Sequence, residues 1–168
     1  MWLTDDVISL RPITVADARV HLAGEDSELV RWVSGSASTL DEVIAHFQRC
    51  EQAWARQGPA RTFAITERAD DILVGTLDVR TGLEFLAAGQ ADLAYGLHPD
   101  RRGRGLATRA VVLGCRFLAR AGLAEEAVLR IDPANAASVA VARRAGFHYF
   151  RSTDEPGQGR LDWYYQAV

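Results

Sequence analysis

Five consecutive positions carry the residues best suited to chemistry, Arg101-Arg102-Gly103-Arg104-Gly105, and a helical pattern starts directly after them. The chemistry such a junction offers is anion capture. The first amides of a helix have no intrahelical partners, and the helix dipole adds partial positive charge there. Glycines let a phosphate approach the backbone, and guanidinium groups add forked donors. A plain surface turn with solvated arginines is the simplest alternative. A dinucleotide fingerprint is a second, because Gly103-Arg104-Gly105-Leu106-Ala107-Thr108 begins as GxGxxG. It lacks the third glycine, which is Thr108, and the acidic residues about 20 positions on, Glu125 and Glu126, precede the next strand instead of ending it. A nucleotide P-loop needs a lysine, and all 19 basic residues of this chain are arginine.

The elements that must position this loop are legible on both sides. Leu93, Tyr95 and Leu97 alternate with Asp92, Ala94 and Gly96, the period of a strand, and His98-Pro99-Asp100 ends the alternation. Leu106, Ala110, Leu113 and Phe117 then fall on one helical face. Upstream, Val7–Arg11 reads as a strand closed by Pro12. Thr14 and Asp17 start a short helix that Gly24 stops, and Ser27–Val33 makes a further helical turn or two. Thr39-Leu40-Asp41-Glu42 is a capping box, and Leu40, Val43, Ile44, Phe47, Cys50 and Trp54 form the apolar stripe behind it. Phe63–Glu67, Ile72–Val79 and Asp92–Leu97 predict an antiparallel meander, with a longer loop over Thr81–Gln90. Downstream, Ala127–Ile131 predicts a strand parallel to the one through Tyr95. Asn135–Ala145 predicts a short helix. Phe147–Ser152 and Trp163–Val168 predict a hairpin turning at Asp154-Glu155-Pro156-Gly157.

Composition bounds the class. The 168 residues suit one domain with a substantial core, and 48% hydrophobic residues exclude a disordered chain. A net charge of −3 argues against a dedicated nucleic-acid binder. Two cysteines without a CxxC spacing give no disulfide framework and no redox motif; Cys50 and Cys115 read as buried thiols. Trp2, Trp54 and Trp163 read as core, and Trp32 reads as core or as the lining of an acceptor cleft. The start of the chain lacks the charged and apolar regions of a signal peptide, and no apolar run reaches the length of a membrane span. The expectation is a soluble cytoplasmic protein of one domain, 1–168, without a metal.

Arg102-Gly103-Arg104-Gly105-Leu106-Ala107 resembles the R/Q-x-x-G-x-G/A pyrophosphate loop of the GNAT acetyltransferases, and it lies between a strand and a helix as in that family. Leu10-Arg11-Pro12-Ile13 with Asp17-Ala18 is similar to the LRPL…DA start of the ribosomal-protein-alanine (RimJ/RimL-like) branch. Ala94-Tyr95-Gly96-Leu97 with Pro99 resembles that branch's GYWL-x-P strand with Gly and Tyr exchanged. Asn135-Ala136-Ala137-Ser138 and Arg143-Arg144-Ala145-Gly146-Phe147 resemble its N-x-x-S…K/R-x-G-F segment. The resemblance implies a GNAT fold of the α/β (α+β) class, a mixed and mostly antiparallel sheet of about seven strands flanked by helices. It implies acetyl-CoA as acyl donor and an amine acceptor, either a protein N-terminus or a small molecule. A homodimer is plausible for the family.

The resemblance also assigns roles. Arg102, Gly103, Arg104, Gly105, Leu106, Ala107 and Thr108 would hold the pyrophosphate. An amide near Leu97 or His98, exposed where two neighbouring strands splay, would face the thioester oxygen. Asn135 would bind the pantetheine amides and Ser138 would donate to the leaving thiolate, although both residue types also favour plain helix capping. Arg143 or Arg144 would reach the 3′-phosphate, or simply face solvent. Glu155 is the positional candidate for the general base, with Asp92, Asp78 and water as rivals, and His98 titrates in the useful range. The competing function is a GNAT domain that binds acyl-CoA without catalysis, as a sensor or assembly module.

Overall fold

The computed structural model describes residues 3–168, so Trp2 lies outside the described residues. Eight strands form one sheet. β1 (Leu3–Thr4) and β2 (Ile8–Pro12) open the chain. A single 3-10 turn leads into α1 (Ala18–Ala23), then α2 (Ser27–Leu29), which runs on as a wider π-type turn over Val30–Ser34. α3 (Leu40–Ala55) carries the capping box read from the sequence: the Thr39 hydroxyl accepts from the Glu42 amide at 3.3 Å, and the Glu42 carboxylate accepts from the Thr39 amide at 2.7 Å. The meander β3 (Ala60–Glu67), β4 (Leu73–Thr81) and β5 (Gln90–Leu97) follows. α4 (Leu106–Ala121), β6 (Glu126–Ile131), α5 (Ala136–Arg144), β7 (His148–Glu155) and β8 (Gly159–Ala167) complete the chain.

The sheet order is β1-β2-β3-β4-β5-β6-β8-β7, and every neighbouring pair is antiparallel except β5 with β6. The sequence predicts about seven strands; the eighth is β1, too short for periodicity to register. β8 inserts between β6 and β7. The final hairpin is also longer than expected: pairing continues through Asp154 with Arg160 and Glu155 with Gly159, so Glu155 ends a strand instead of lying in the turn.

The two faces of the sheet are covered by different helices. Phe63, Leu77 and Leu93 pack with Leu106, Ala110, Leu113 and Phe117 of α4. Ala64 and Leu73 pack with Ala18 of α1 and Val43, Phe47 and Cys50 of α3. Neighbours such as Phe63 and Ala64 thus serve opposite faces, as a period of two requires. Burying about a dozen large side chains almost completely (Trp163, Phe47, Phe63 and Phe117 among them) gives the site a rigid floor. Among the described residues, no helix is long and apolar enough to cross a membrane.

Candidate active site

The site is built where the one parallel strand pair comes apart. β5 and β6 are paired only at Gln90–Glu126, Ala91–Ala127 and Asp92–Val128, yet β5 runs on to Leu97 and β6 to Ile131. The His98 amide donates to the Val74 carbonyl at 2.8 Å, so alternate residues Gly96 and Ala94 also turn their amides toward β4. The amides of Leu93, Tyr95 and Leu97 therefore face the widening gap. Of the two amides considered from the sequence, Leu97 faces the gap and His98 does not. The His98 ring is buried on the side of α1, 6.1 Å from His21 between centroids, and lines neither of the two cavities described below. Burial lowers its pKa, with the neighbouring His21 adding to the effect.

The glycine loop joins β5 to α4. Gly103 and Gly105 take φ values of +72° and +76°, a left-handed conformation that side chains resist, and Gly105 stands at the N-cap of α4. This frees the first amides of α4, those of Leu106, Ala107 and Thr108, toward a cavity of about 240 Å³ that these residues line. The cavity is roofed by Leu29, Trp32 and Val33 and walled by Asn135, Ser138, Val141 and Arg144. A Cβ on Gly96 would lie 2.6 Å from the Leu29 Cδ2, so the roof approaches β5 closely there and a side chain would push the end of Leu29 aside.

The arginines of the loop are not free. Arg102 makes a bidentate pair with Asp26 at 2.7 and 2.8 Å, reaches Glu28 at 3.2 Å, and donates to the Leu97 carbonyl at 3.0 and 3.2 Å. Asp26 in turn caps α2 by accepting from the Leu29 amide at 3.0 Å. The Arg102 guanidinium holds the Asp26 carboxyl down at about 2, with the Leu29 amide helping. Arg104 pairs with Glu67 at 2.6 Å and lies outside the cavity, and Arg101 pairs with the same carboxylate. Arg144 lines the cavity with no carboxylate partner among the described residues, whereas Arg143 lies outside it.

A second cavity, of about 590 Å³, opens on the other side of the splay and shares Trp32, Val33, Tyr95, Asn135 and Ser138 with the first. The Asn135 side chain accepts from the Ser138 amide at 3.1 Å, which caps α5 and leaves its own amide donors and the Ser138 hydroxyl available at the junction. The Tyr95 hydroxyl is buried there without a well-aligned partner. Burial pushes its pKa up to about 12, partly offset by the neighbouring Ser138 hydroxyl, so it is a donor at any working pH. Periodicity marked Tyr95 as a strand residue but gave no sign that its hydroxyl would stand at this junction.

The carboxylates sort themselves. Asp78 lines the second cavity and accepts from the Thr62 hydroxyl at 2.6 Å. Asp92 also lines it but is 2% exposed and held by Arg80 at 3.0 Å and Arg130 at 3.4 Å. Glu155 lines neither cavity; its carboxylate takes the Thr153 hydroxyl at 2.8 Å, and the hairpin reaches the cleft through Gly157, Gln158 and Leu161 instead. The hairpin register is the cause, since pairing with Gly159 draws Glu155 into β7. Cys50 and Cys115 line neither cavity, and burial raises both thiols, Cys115 to about 12. Among the described residues no cluster of His, Cys, Asp and Glu is placed to hold a metal.

A glycine-lined helix start, a parted parallel strand pair and two cavities meeting at one junction make up the site. Residues 8–148 match the acetyltransferase (GNAT) domain, and the chain belongs to that family. No curated protein matches it. Among solved structures, a RimL ribosomal-protein alpha-N-acetyltransferase in complex with coenzyme A is 17% identical, with a TM-score of 0.86 over 100% of this chain and 98% of that one. A GNAT-family acetyltransferase from Bacillus anthracis is 15% identical, with a TM-score of 0.82 and the same coverage. The aminoglycoside acetyltransferase AAC(6')-Ib in complex with coenzyme A is 19% identical, with a TM-score of 0.79 over 95% of this chain and 94% of that one.

Proposed function

We propose that this chain moves an acetyl group from acetyl-CoA to a primary amine by direct transfer in a ternary complex. The observation that carries the reading is the junction at the splay, where Tyr95 and Ser138 line both cavities and Leu97 lines the first with its amide toward the gap. Bound in the first cavity, acetyl-CoA supplies an activated acetyl thioester. The glycine loop fits its pyrophosphate, because the amides of Leu106, Ala107 and Thr108 are unspent and Gly103 and Gly105 keep side chains away. Arg144, the unpaired cation of that cavity, suits the 3′-phosphate better than Arg143. The paired Arg102 acts as a brace for the loop and the roof.

The Leu97 amide donates to the carbonyl oxygen as charge develops on it, a contribution of about 3 kcal/mol for a preorganised donor. The amine nitrogen bonds to the carbonyl carbon, the C–S bond breaks, and the electron pair leaves on sulfur. Ser138 donates to that sulfur, with the Tyr95 phenol behind it. Asp78 accepts the amine's proton, directly or through water, and passes it to solvent. Glu155 takes no part. No cysteine is placed to carry the acetyl group, which favours direct transfer. Protein N-termini and small-molecule amines both remain within this reading, since the similar structures include acetyltransferases of ribosomal proteins and of aminoglycosides. The reading also places the chain in the cytoplasm, with both cysteines reduced.

The test follows free thiol release from acetyl-CoA across an amine panel, with thermal shift reporting donor binding. Ser138→Ala with Asp78→Asn should abolish most turnover and leave the acetyl-CoA shift in place. Unchanged turnover in that double variant rejects these roles. A full acetyl-CoA shift with no amine turned over points to the non-catalytic sensor instead.

A further inference from the structure

The second cavity is polarised along its length, and strand register fixes the order. On β4 and β5 the pairs Thr76–Gly96, Asp78–Ala94 and Arg80–Asp92 succeed one another away from Leu97. Each step is two residues, about 6.8 Å. Asp78, Arg80 and Asp92 lie on one face of the sheet, since alternate residues share a face. Asp78 is nearer the glycine loop. Arg80 and Asp92 stand one step beyond it, and Arg130 meets Asp92 from across the parallel pair.

Charge follows the same order. Two guanidinium groups share the single Asp92 carboxylate, one on each oxygen, which leaves a surplus positive charge at the far end. Arg130 is fixed there by the face of Phe85, 3.5 Å from its centroid. Arg31 adds a third guanidinium at the rim, on the turn whose Val33 packs over Gly96; it is exposed, stacks on Trp32 at 4.2 Å, and has no carboxylate partner among the described residues. Asp78, at the near end, takes only the Thr62 hydroxyl. Asp132 also lines the cavity, but it lies past the end of β6 toward α5, where its Oδ1 takes the Ala134 amide at 2.8 Å.

We infer that the acceptor is a small zwitterion, an amine carrying a carboxylate a few ångströms behind the reacting nitrogen, as in an α-amino acid or a short peptide. The inference rests on the acetyl-transfer reading and deepens it. The amine meets Asp78 on the side of the thioester, and the trailing carboxylate meets Arg80 and Arg130, with the unpaired Arg31 of the rim adding positive charge to the same cavity. A polycation would have to set a second ammonium against those arginines, a like-charge contact that disfavours it.

The experiment measures kcat/KM by thiol release with alanine, alaninamide, alanylglycine, alanylglycinamide and spermidine, the two lengths separating an amino acid from a peptide. A charge-assisted contact to the carboxylate should make one or both acids better than their amides by about tenfold or more. Arg31→Gln and Arg80→Gln should each pull the acid-to-amide ratio toward one. Arg31 is on an exposed turn, so that variant tests the idea even if Arg80→Gln folds poorly. Asp78→Asn should lower acid and amide alike. Amides or spermidine turning over as well as the acids would overturn the zwitterion while leaving acetyl transfer standing. No turnover of any of the five by a protein that still shows an acetyl-CoA shift would overturn the zwitterion, and the same result across the whole amine panel would overturn acetyl transfer as well.

Discussion

Asp26→Asn isolates the brace that holds the glycine loop. Asparagine still caps a helix well, so the bond to the Leu29 amide should survive, but the charge that fixes Arg102 is gone. The gap between the ordinary carboxyl value of 3.8 and about 2 sets an upper limit of about 2.5 kcal/mol on what the pair adds to folding. Asp26 and Arg102 side chains are 28% and 29% exposed, and solvent screening brings the figure to about 1 kcal/mol. Asp26→Ala, which also removes the cap, should lose about 2 kcal/mol. For a chain of this length each kcal/mol is about 2–4 °C in Tm. The pH dependence has a definite sign. Above pH 3.8 the carboxylate is ionised in both states and the brace contributes in full. As pH falls through 3.8 toward about 2 the unfolded chain binds the proton first, and the contribution is lost. Asp26→Asn should remove that part of the acid sensitivity. The same variant loosens α2, whose Leu29 roofs the first cavity, so under the proposed reading acetyl-CoA should bind about fivefold more weakly by calorimetry, the equivalent of 1 kcal/mol. Tighter binding would refute the reasoning, because it would mean that Asp26 restrains a guanidinium destined for phosphate.

Other perturbations probe independent features. Gly75→Ala would set a Cβ 2.1 Å from the Gly96 carbonyl oxygen, a backbone clash expected to cost about 3 kcal/mol or more in urea unfolding. Burial lowers the pKa of both His21 and His98, so the unfolded chain protonates first as pH falls below about 6.5; His21→Leu should shrink the fall in Tm between pH 7 and pH 5.5. Tyr95→Phe removes a buried hydroxyl without a well-aligned partner, so stability should hold while kcat falls at saturating acetyl-CoA. Native protein should resist iodoacetamide at pH 7.5 at both cysteines and react fully only when unfolded, because burial keeps both thiols protonated.

The parts of the site that local sequence encodes were readable, and the parts made by distant residues were not. The glycine loop announces itself because a period of two stops at Leu97, a period of 3.6 starts at Leu106, and glycines lie between them. The partners of Arg102 lie 74 and 76 residues upstream, and no spacing rule connects them. Arg102 therefore reads as a phosphate donor in the sequence, and in the fold its guanidinium is paired with Asp26 and Glu28. Asp92 reads as a carboxylate facing substrate, and it does line the cleft. The β4–β5 register that sets Arg80 opposite it is invisible in either strand alone. Glu155 was misplaced for a different reason. Asp154-Glu155-Pro156-Gly157 has turn composition, yet β7 is an exposed edge strand that tolerates polar residues, so its ladder continues two residues further than composition suggests.

The short ladder between β5 and β6 has a mechanical consequence. Among the described residues the β5–β6 ladder has three residue pairs, joined just outside it by the Glu125 and Glu126 amides on the Gly89 carbonyl, and beyond Asp92 the ladder between the β1–β5 block and the β6-β8-β7 block stops. A donor lying in the gap there and touching Leu97 on one bank and α5 on the other would act as a removable seam. Occupancy and cohesion are then one quantity: whatever free energy the molecule gains by bridging the banks is added to the work needed to pull them apart. Saturation should therefore slow amide exchange in β6, β8 and α5 as well as in the glycine loop, and partial occupancy should leave a chain whose two banks open on different timescales.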